Sequence, residues 1–396
     1  MRNLQPSALQ QALERANHPD VLSLALGMPD PELFPGEELA AAAQMVLKKG
    51  SQALQYSSPR LRLKEQIAEL MLRRDIVCSP EEIFLTTGAQ QALTLLGMLL
   101  RPQPDTPILV DEAVYPGFRQ ATDPAVLLPV VREGLCRIDP DALDDAMRAD
   151  PRPAFLFTMS AGHNPFGTTM SEGSRRELAV AASRLDLPIV EDDVYGLLQY
   201  GDPASEPLYP LDPEHVFYVG SFSKILGPAL RTAWIIAPKR YHTALSVLKE
   251  GCDINTTTTS QAIISEYLEL CQLDVHLARL RDRYRERRDL MDRTLTRHFA
   301  GAATWQVPLA GFFFWVSSDL FTQGSDLLAE AIAKRMAFVP GSAFAVAGAP
   351  HCHRAVRLSF SCCRRDSMDE AIRRLSQAAE SRLCQHSFQG DTHGQH

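Results

Sequence analysis

The chain has 396 residues, with 40 Lys and Arg against 48 Asp and Glu for a formal charge of −8, and 45% of its residues are hydrophobic. That is the composition of a globular protein of two or three domains, and its acidic balance offers no general footprint for nucleic acid. No apolar run approaches the roughly 18–20 residues of a membrane span, and the first twenty residues lack the apolar core of a signal peptide. A cytoplasmic protein without membrane or nucleic-acid partners is expected. The eight cysteines are scattered with no C-x-x-C. His351-Cys352-His353 and Cys362-Cys363 lack a second ligand pair at zinc-like spacing, so no metal is expected.

From about residue 80 short apolar runs alternate with longer amphipathic ones. Residues 82–86 (EIFLT) precede a helical 90–100, and 107–111 (PILVD) follow. Residues 125–131 precede a helical 140–149, and 154–158 (AFLFT) precede a helical 171–185. Then come 188–191 (PIVE), 216–220 (VFYVG) and 234–237 (WIIA). Apolar strands that do not alternate with polar residues predict a mostly parallel central sheet sandwiched by helices. The later chain reads as a smaller α+β domain: a long helix over 275–298, strands at 311–316, 337–339 and 355–360, a helix over 326–335 and a final helix from 367. Within the long helix, Asp282, Glu286 and Asp289 break the basic run RLRDRYRERR into i,i+4 pairs, predicting a solvated face. The expected organisation is an N-terminal segment (1–48) packing with the small domain, a large domain (49–285) and the small domain (286–396), with a disordered tail after about 385.

Ligands of such sheets bind beyond the carboxyl ends of the strands. After VFYVG stand Ser221, Ser223 and Lys224, followed by Arg231. Crowding and a nearby cation lower a lysine's pKa, as a Schiff-base amine requires, and the serines and Arg231 suit a phosphate; the plain alternative is a surface lysine in a serine loop. After EIFLT, Gly88 allows a tight turn, and the N–H groups of Ala89 and Gln90 open a helix where an anion can sit, though a simple cap reads the same way. Asp192 ends a buried strand and must be paired, by a pyridinium N–H or by capping a helix. Asn164 lies in an Asn-Pro turn and can donate to a ring oxygen or carboxylate, and Tyr115 can stack on a planar ring. Arg357, in the apolar AVRLSF, has no acid near it in sequence; it awaits either a substrate carboxylate or a distant acid.

Taken together, SFSKILGPALR, EDDVY, HNPFG, TTGAQQAL and VPGSAF with VRLSFS resemble the fold-type I pyridoxal-5′-phosphate enzymes over residues 20–380. In particular they are similar to class I/II aminotransferases of the aminoadipate, kynurenine and MocR-type branch. The resemblance implies Lys224 as Schiff-base lysine and proton shuttle, Asp192 on the pyridine nitrogen, and Tyr195 and Asn164 on the ring's phenolic oxygen. It implies Tyr115 stacking on the ring as part of the catalytic group. Gly88, Ala89, Gln90, Ser221, Ser223 and Arg231 would hold the phosphate. Tyr56 would reach it from the neighbouring subunit of a homodimer, and Arg357 would clamp the substrate carboxylate.

The resemblance has departures. Leu26-Gly27 stands where two glycines are usual beside the substrate, Ser57 to Leu61 replace a Gly-Pro-x-x-Gly stretch, and Phe166 replaces a threonine. These changes are expected at the active-site mouth and point away from aspartate, toward a large or apolar substrate in specialised metabolism. The expected function is transamination between an amino acid and a 2-oxo acid. The alternatives are elimination, replacement or carbon–carbon bond formation on the same cofactor, and a non-catalytic regulator. The last would need a DNA-binding domain, for which a match starting near residue 20 leaves no room.

Overall fold

The computed structural model describes residue 18 and residues 20–50, 54–130, 132–133, 137–201, 204–321, 324–346 and 349–390. Residues 1–17 of the expected N-terminal segment and 391–396 of the expected tail lie outside them. The strands are β1 (Leu22–Ser23), β2 (Ile83–Thr86), β3 (Ile108–Asp111), β4 (Leu127–Val130), β5 (Arg132–Glu133), β6 (Arg137–Ile138) and β7 (Leu156–Thr158). They continue with β8 (Ile189–Asp192), β9 (Val216–Ser221), β10 (Ala233–Ile236), β11 (Phe313–Ser317), β12 (Met336–Ala337), β13 (Val339–Pro340) and β14 (Ala355–Ser359). The helices are α1 (Gly36–Lys48), α2 (Leu61–Leu72), α3 (Ala89–Leu100), α4 (Pro116–Ala121), α5 (Pro140–Ala146) and α6 (Glu172–Leu185). After them come α7 (His242–Asp253), α8 (Thr258–Leu270), α9 (Leu273–Phe299), α10 (Gly324–Ala333) and α11 (Arg365–Gly390).

The seven apolar runs read as strands between residues 82 and 237 form one sheet, ordered β2-β10-β9-β8-β7-β3-β4. Strands β3, β8, β9 and β10 are buried at every residue, so both faces of the sheet are covered. Each fully buried Ile, Val, Leu or Phe contributes about 1.5–3 kcal/mol. Local signals set the helix boundaries. Ser171 accepts from the Ser174 N–H to start α6, and Asp186 ends it in the left-handed region at φ 47°, as N- and C-caps do.

Strand β10 runs against both neighbours, while the remaining pairings are parallel. Its start therefore lies at the same sheet edge as the carboxyl ends of the others. Residues just before β10, Arg231 among them, thus join residues just after β2, β3, β7, β8 and β9.

The smaller region holds an antiparallel sheet β11-β14-β13, with β1 paired in parallel to β12. The Leu24 N–H donates to Ala337 O and the Ser359 N–H to Leu24 O, both 2.8 Å. These bonds draw residues 24–28 across the edge of the main sheet. Helix α9 runs unbroken through residue 285, where the two expected domains meet.

One sequence expectation needs correction here. The basic stretch of α9 is not mainly a solvated face. Arg287 bonds Ser361 O and Asp30, while Arg279, Arg281 and Arg288 donate to Leu33 O, Leu197 O and Pro308 O. The exposed pairs within it, Arg283–Glu286 and Arg285–Asp282, are i,i+3. The acceptors of the other arginines are distant in sequence, so spacing along the helix does not reveal them. Helix α11 extends to Gly390, with nothing before that glycine to break it.

Candidate active site

One cavity of about 270 Å³ collects the ends of these elements. Its lining includes Leu26, Gly27, Ala89, Gln90, Tyr115, Asn164, Asp192, Tyr195, Ser221, Ser223, Lys224, Arg231 and Arg357. These residues come from points more than 300 positions apart in the chain, and the strand ends bring them together.

After β9 the chain turns tightly at Phe222–Lys224, where Ser221 Oγ accepts from the Ser223 N–H at 3.1 Å. The turn aims Lys224 into the cavity. Its Nζ donates to Gly27 O at 3.1 Å and lies 5.7 Å from the centre of the Tyr195 ring. Burial pushes this amine down to about 8, helped by Arg357 and Arg231 and opposed by Asp192 and Cys362. A Cβ on Gly27 would stand 2.4 Å from the Phe313 ring, so only glycine lets the 26–28 segment approach this closely.

The anion-binding corner pairs the start of α3 with Arg231. Gly88 adopts φ 78°, and a Cβ there would stand 2.1 Å from Arg231 Nη2. Arg231 Nη2 donates to Thr87 O at 3.2 Å and Nη1 to Pro228 O at 3.3 Å. The backbone N–H groups of Ala89 and Gln90 open the helix and, as first-turn donors, have no carbonyl four residues back. Beside them, the Gln90 amide donates to Gly117 O at 2.6 Å. Tyr115 caps α4 and packs so closely over Gly117 that a Cβ there would stand 2.3 Å from the ring. Burial and Asp192 push the Tyr115 hydroxyl up, against Arg231 and Arg357.

Asp192 is the last residue of β8 and is not a helix cap. It is buried, its Oδ1 has no partner among the described residues, and its carboxylate accepts from the Val194 backbone. Burial first, and Asp193 second, push it up to about 7, with Lys224 opposing. Tyr195 is buried at the same rim, its hydroxyl pushed upward by burial.

Arg357 projects from β14 and is 2% exposed. It donates to Asn164 Oδ1 at 2.8 Å and to Ala25 O at 2.6 Å. Its guanidinium lies between the rings of Phe313 (4.2 Å) and Phe344 (4.7 Å), and Nε is unpartnered. Among the described residues no acid pairs with it, so the distant-acid alternative finds no support. Burial pushes it down to about 10. An arginine held this way keeps a strong unmet demand for an anion.

Other expectations land elsewhere. Tyr56 is 81% exposed and lines a separate surface hollow with Ser57, Ser58 and Pro59, away from the cavity. The altered stretch Ser57 to Leu61 is therefore not at this chain's cavity mouth. Phe166 is not there either: it is buried, stacked on His163 at 4.8 Å and edge-on to Trp315 at 5.2 Å. Backbone position alone does not say which way a side chain turns, and here it turns into a second apolar cluster. Only Leu26 of these departures lines the cavity.

Phe313, Phe344 and the Ala25 carbonyl, which frame Arg357, escaped the sequence reading. The apolar run GFFFWV held the one available signal, a strand able to face an arginine. Also missed was a polar layer behind Asp192, made of Glu191, Asp193, Arg74 and Arg175. Three consecutive acids at a buried strand end require cations nearby, and that signal was present.

A family model described as Aminotransferase class I and II matches residues 19–375. Aromatic-amino-acid aminotransferase 1 of Thermococcus litoralis is 33% identical over 395 residues, covering 96% of this chain and 93% of that protein. The 2-aminoadipate transaminase of Thermus thermophilus is 33% identical over 391 residues, covering 96% and 95%. Among solved structures, LysN, the α-aminoadipate aminotransferase of Thermus thermophilus complexed with N-(5′-phosphopyridoxyl)-L-leucine, superposes with a TM-score of 0.85 at 32% identity, covering 96% of each chain.

Proposed function

This chain belongs to the class I and II aminotransferases and is an aminotransferase; from that premise we propose that its cavity holds pyridoxal 5′-phosphate and works through Lys224. The observation that carries the assignment is that two residues with an unpartnered buried polar atom, Asp192 (Oδ1) and Arg357 (Nε), line the same cavity as Lys224. Asp192 has a free acceptor for a protonated ring nitrogen, and Arg357 has a free donor for a carboxylate. Gly88, where a Cβ would strike the Arg231 guanidinium, lets that cation sit against the start of α3, and a cation beside the first-turn N–H groups of Ala89 and Gln90 suits a phosphate.

When bound, pyridoxal phosphate supplies an aldehyde for an amine and a ring that accepts the electron pair left by a departing α-proton. The chain's residues do the rest. Ala89, Gln90, Ser221, Ser223 and Arg231 bind the phosphate, Tyr115 covers a ring face, and Tyr195 and Asn164 hold its phenolic oxygen. Arg357 orients the substrate by its carboxylate, which fixes the α-hydrogen toward Lys224. Lys224 Nζ, with its amine poised near neutrality, would take the proton from the substrate's Cα and hold it for return.

Leu26, Met28 and Phe313 line the cavity beside these groups and support a large or apolar side chain on the substrate, with a 2-oxo acid as the second partner. The exposure of Tyr56, with Leu54 and Leu61 exposed near it, supports a homodimer in which Tyr56 reaches the partner's phosphate corner. No helix among the described residues is long and apolar enough to cross a membrane, and the described cysteines form no disulfides; both support a cytoplasmic setting. Elimination and bond-forming chemistry are not favoured, since the relatives are named aminotransferases.

Lys224→Ala tests the central residue. Cofactor-loaded wild type should show a visible band bleached by borohydride. The variant should lack the protein-linked band and lose at least about a thousandfold in turnover. An unchanged band and borohydride adduct in the variant would place the linkage on another lysine.

A further inference from the structure

Behind Asp192 lies a layer that the proposed reaction does not use. Alternation along the strand turns Glu191 and Asp193 away from the cavity face of Asp192. Arg74, just past α2 and 4% exposed, donates to Asp193 Oδ2 at 3.1 Å and to Ser205 O at 2.8 Å. The Tyr218 hydroxyl on β9 donates to the same Oδ2 at 2.9 Å. A Cβ on Gly196 would stand 2.0 Å from Asp193 Oδ2, so the carboxylate is wedged under the turn that carries Tyr195, next to the strand end that carries Asp192. Glu191 is held separately by Ser160 and by the Leu208 N–H, with Arg175 nearby.

We propose that Arg74 and Asp193 are positioning residues for the cofactor ring: Arg74 offsets part of the negative charge that Asp193 places next to Asp192, which favours an ionised Asp192 directed at the ring nitrogen. This rests on the assignment of Asp192 to that nitrogen. The charged and titratable groups facing the pair are Glu191 and Asp192 on β8, Arg175 on α6, Tyr218 on β9 and Arg281 on α9. Lys224, Tyr115 and Tyr195 face Asp192 from the cavity. Arg74 is the one cation bonded to Asp193 among the described residues. Removing Arg74 leaves an extra negative charge behind Asp192, which favours protonation both there and at the cofactor's imine nitrogen. Removing only the carboxylate leaves an extra positive charge with the opposite effect.

The test is the pH titration of the visible absorbance of cofactor-loaded protein. Arg74→Gln should move the midpoint up by on the order of one pH unit and Asp193→Asn should move it down by a similar amount. The double variant R74Q/D193N and the charge-conserving Arg74→Lys should both return close to the wild-type midpoint. A purely structural role would shift both single variants the same way or leave both unmoved, and either result overturns the proposal. If Arg74→Gln does not fold, Asp193→Asn against the double variant carries the same sign test. A wild-type band insensitive to Asp192→Asn would instead sink the assignment of Asp192 itself.

Discussion

Asp192 and Asp193 are chain neighbours, each 3% exposed, but only Asp193 has a cation bonded to it. Asp193 meets Arg74 and Tyr218, and the segment around it is tied to Ser205, Gln199 and Gly196. Asp192 faces a cavity where its Oδ1 is unmet, and burial above all pushes it up to about 7. The cavity side therefore presents unmet polar demand to a ligand, whereas on the far side Arg74 and Tyr218 bind Asp193 Oδ2 while Asp193 Oδ1 and Arg74 Nε stay buried without a partner among the described residues and out of a ligand's reach. Function lies on the face where unmet polar groups are open to a ligand.

The predictions probe this asymmetry. The largest effect is expected at Arg357, which belongs to the cavity side. Arg357→Leu should lower kcat/KM by about two to three orders of magnitude, because a buried charge-paired hydrogen bond to the substrate carboxylate is lost, typically about 2–5 kcal/mol. Steady-state kinetics with the preferred amino donor measures it, and a loss under tenfold would remove Arg357 from substrate binding.

The two aspartates should then respond oppositely in the cofactor-free protein. Asp193→Asn leaves Arg74 buried and unpaired and should cost about 3–5 kcal/mol of stability. Asp192→Asn should raise the melting temperature at pH 8, since it removes a buried charge whose environment disfavours it. Thermal melts compare them, and a change of the same sign in both would erase the contrast.

A smaller effect concerns pH. The folded Lys224 is held at about 8, below its ordinary 10.5. Between those values the unfolded chain binds the extra proton, so stability of the cofactor-free protein should rise by up to about 1.4 kcal/mol per pH unit. Asp192 has the reverse sign: held at about 7 against an ordinary 3.8, it makes stability fall as pH rises through that window. Lys224→Met should flatten the alkaline rise; an identical slope in the variant would show that Lys224 does not titrate in this range.

Much of this site was legible because its residues sit where chemistry conflicts with surroundings. Lys224, Asp192 and Arg357 are charges at the ends of, or inside, apolar strands, and such charges require a reason. The main sheet was legible because unbroken apolar runs have few other uses. The direction of β10 was not, since a strand buried on both faces carries no alternation to mark it. The anchoring role of α9 was hidden because Asp30, Leu197 O, Pro308 O and Ser361 O reach it only through tertiary folding. Phe166 was misplaced because correspondence of backbone position says nothing about rotamer. Helices α1, α2, α7 and α8 lie where no motif drew attention, although α1 and α2 both pack on α8.

The central claim is that this cavity exchanges an amino group between the cofactor and an amino acid without a second substrate present. The direct measurement is a single-turnover screen of amino acids against the pyridoxal-phosphate-loaded protein, following the visible spectrum and product mass together. Apolar or aromatic amino acids should bleach the visible band and yield pyridoxamine phosphate with one equivalent of the matching 2-oxo acid. Loss of amino acid with no pyridoxamine phosphate formed, whichever donor is supplied, would contradict it.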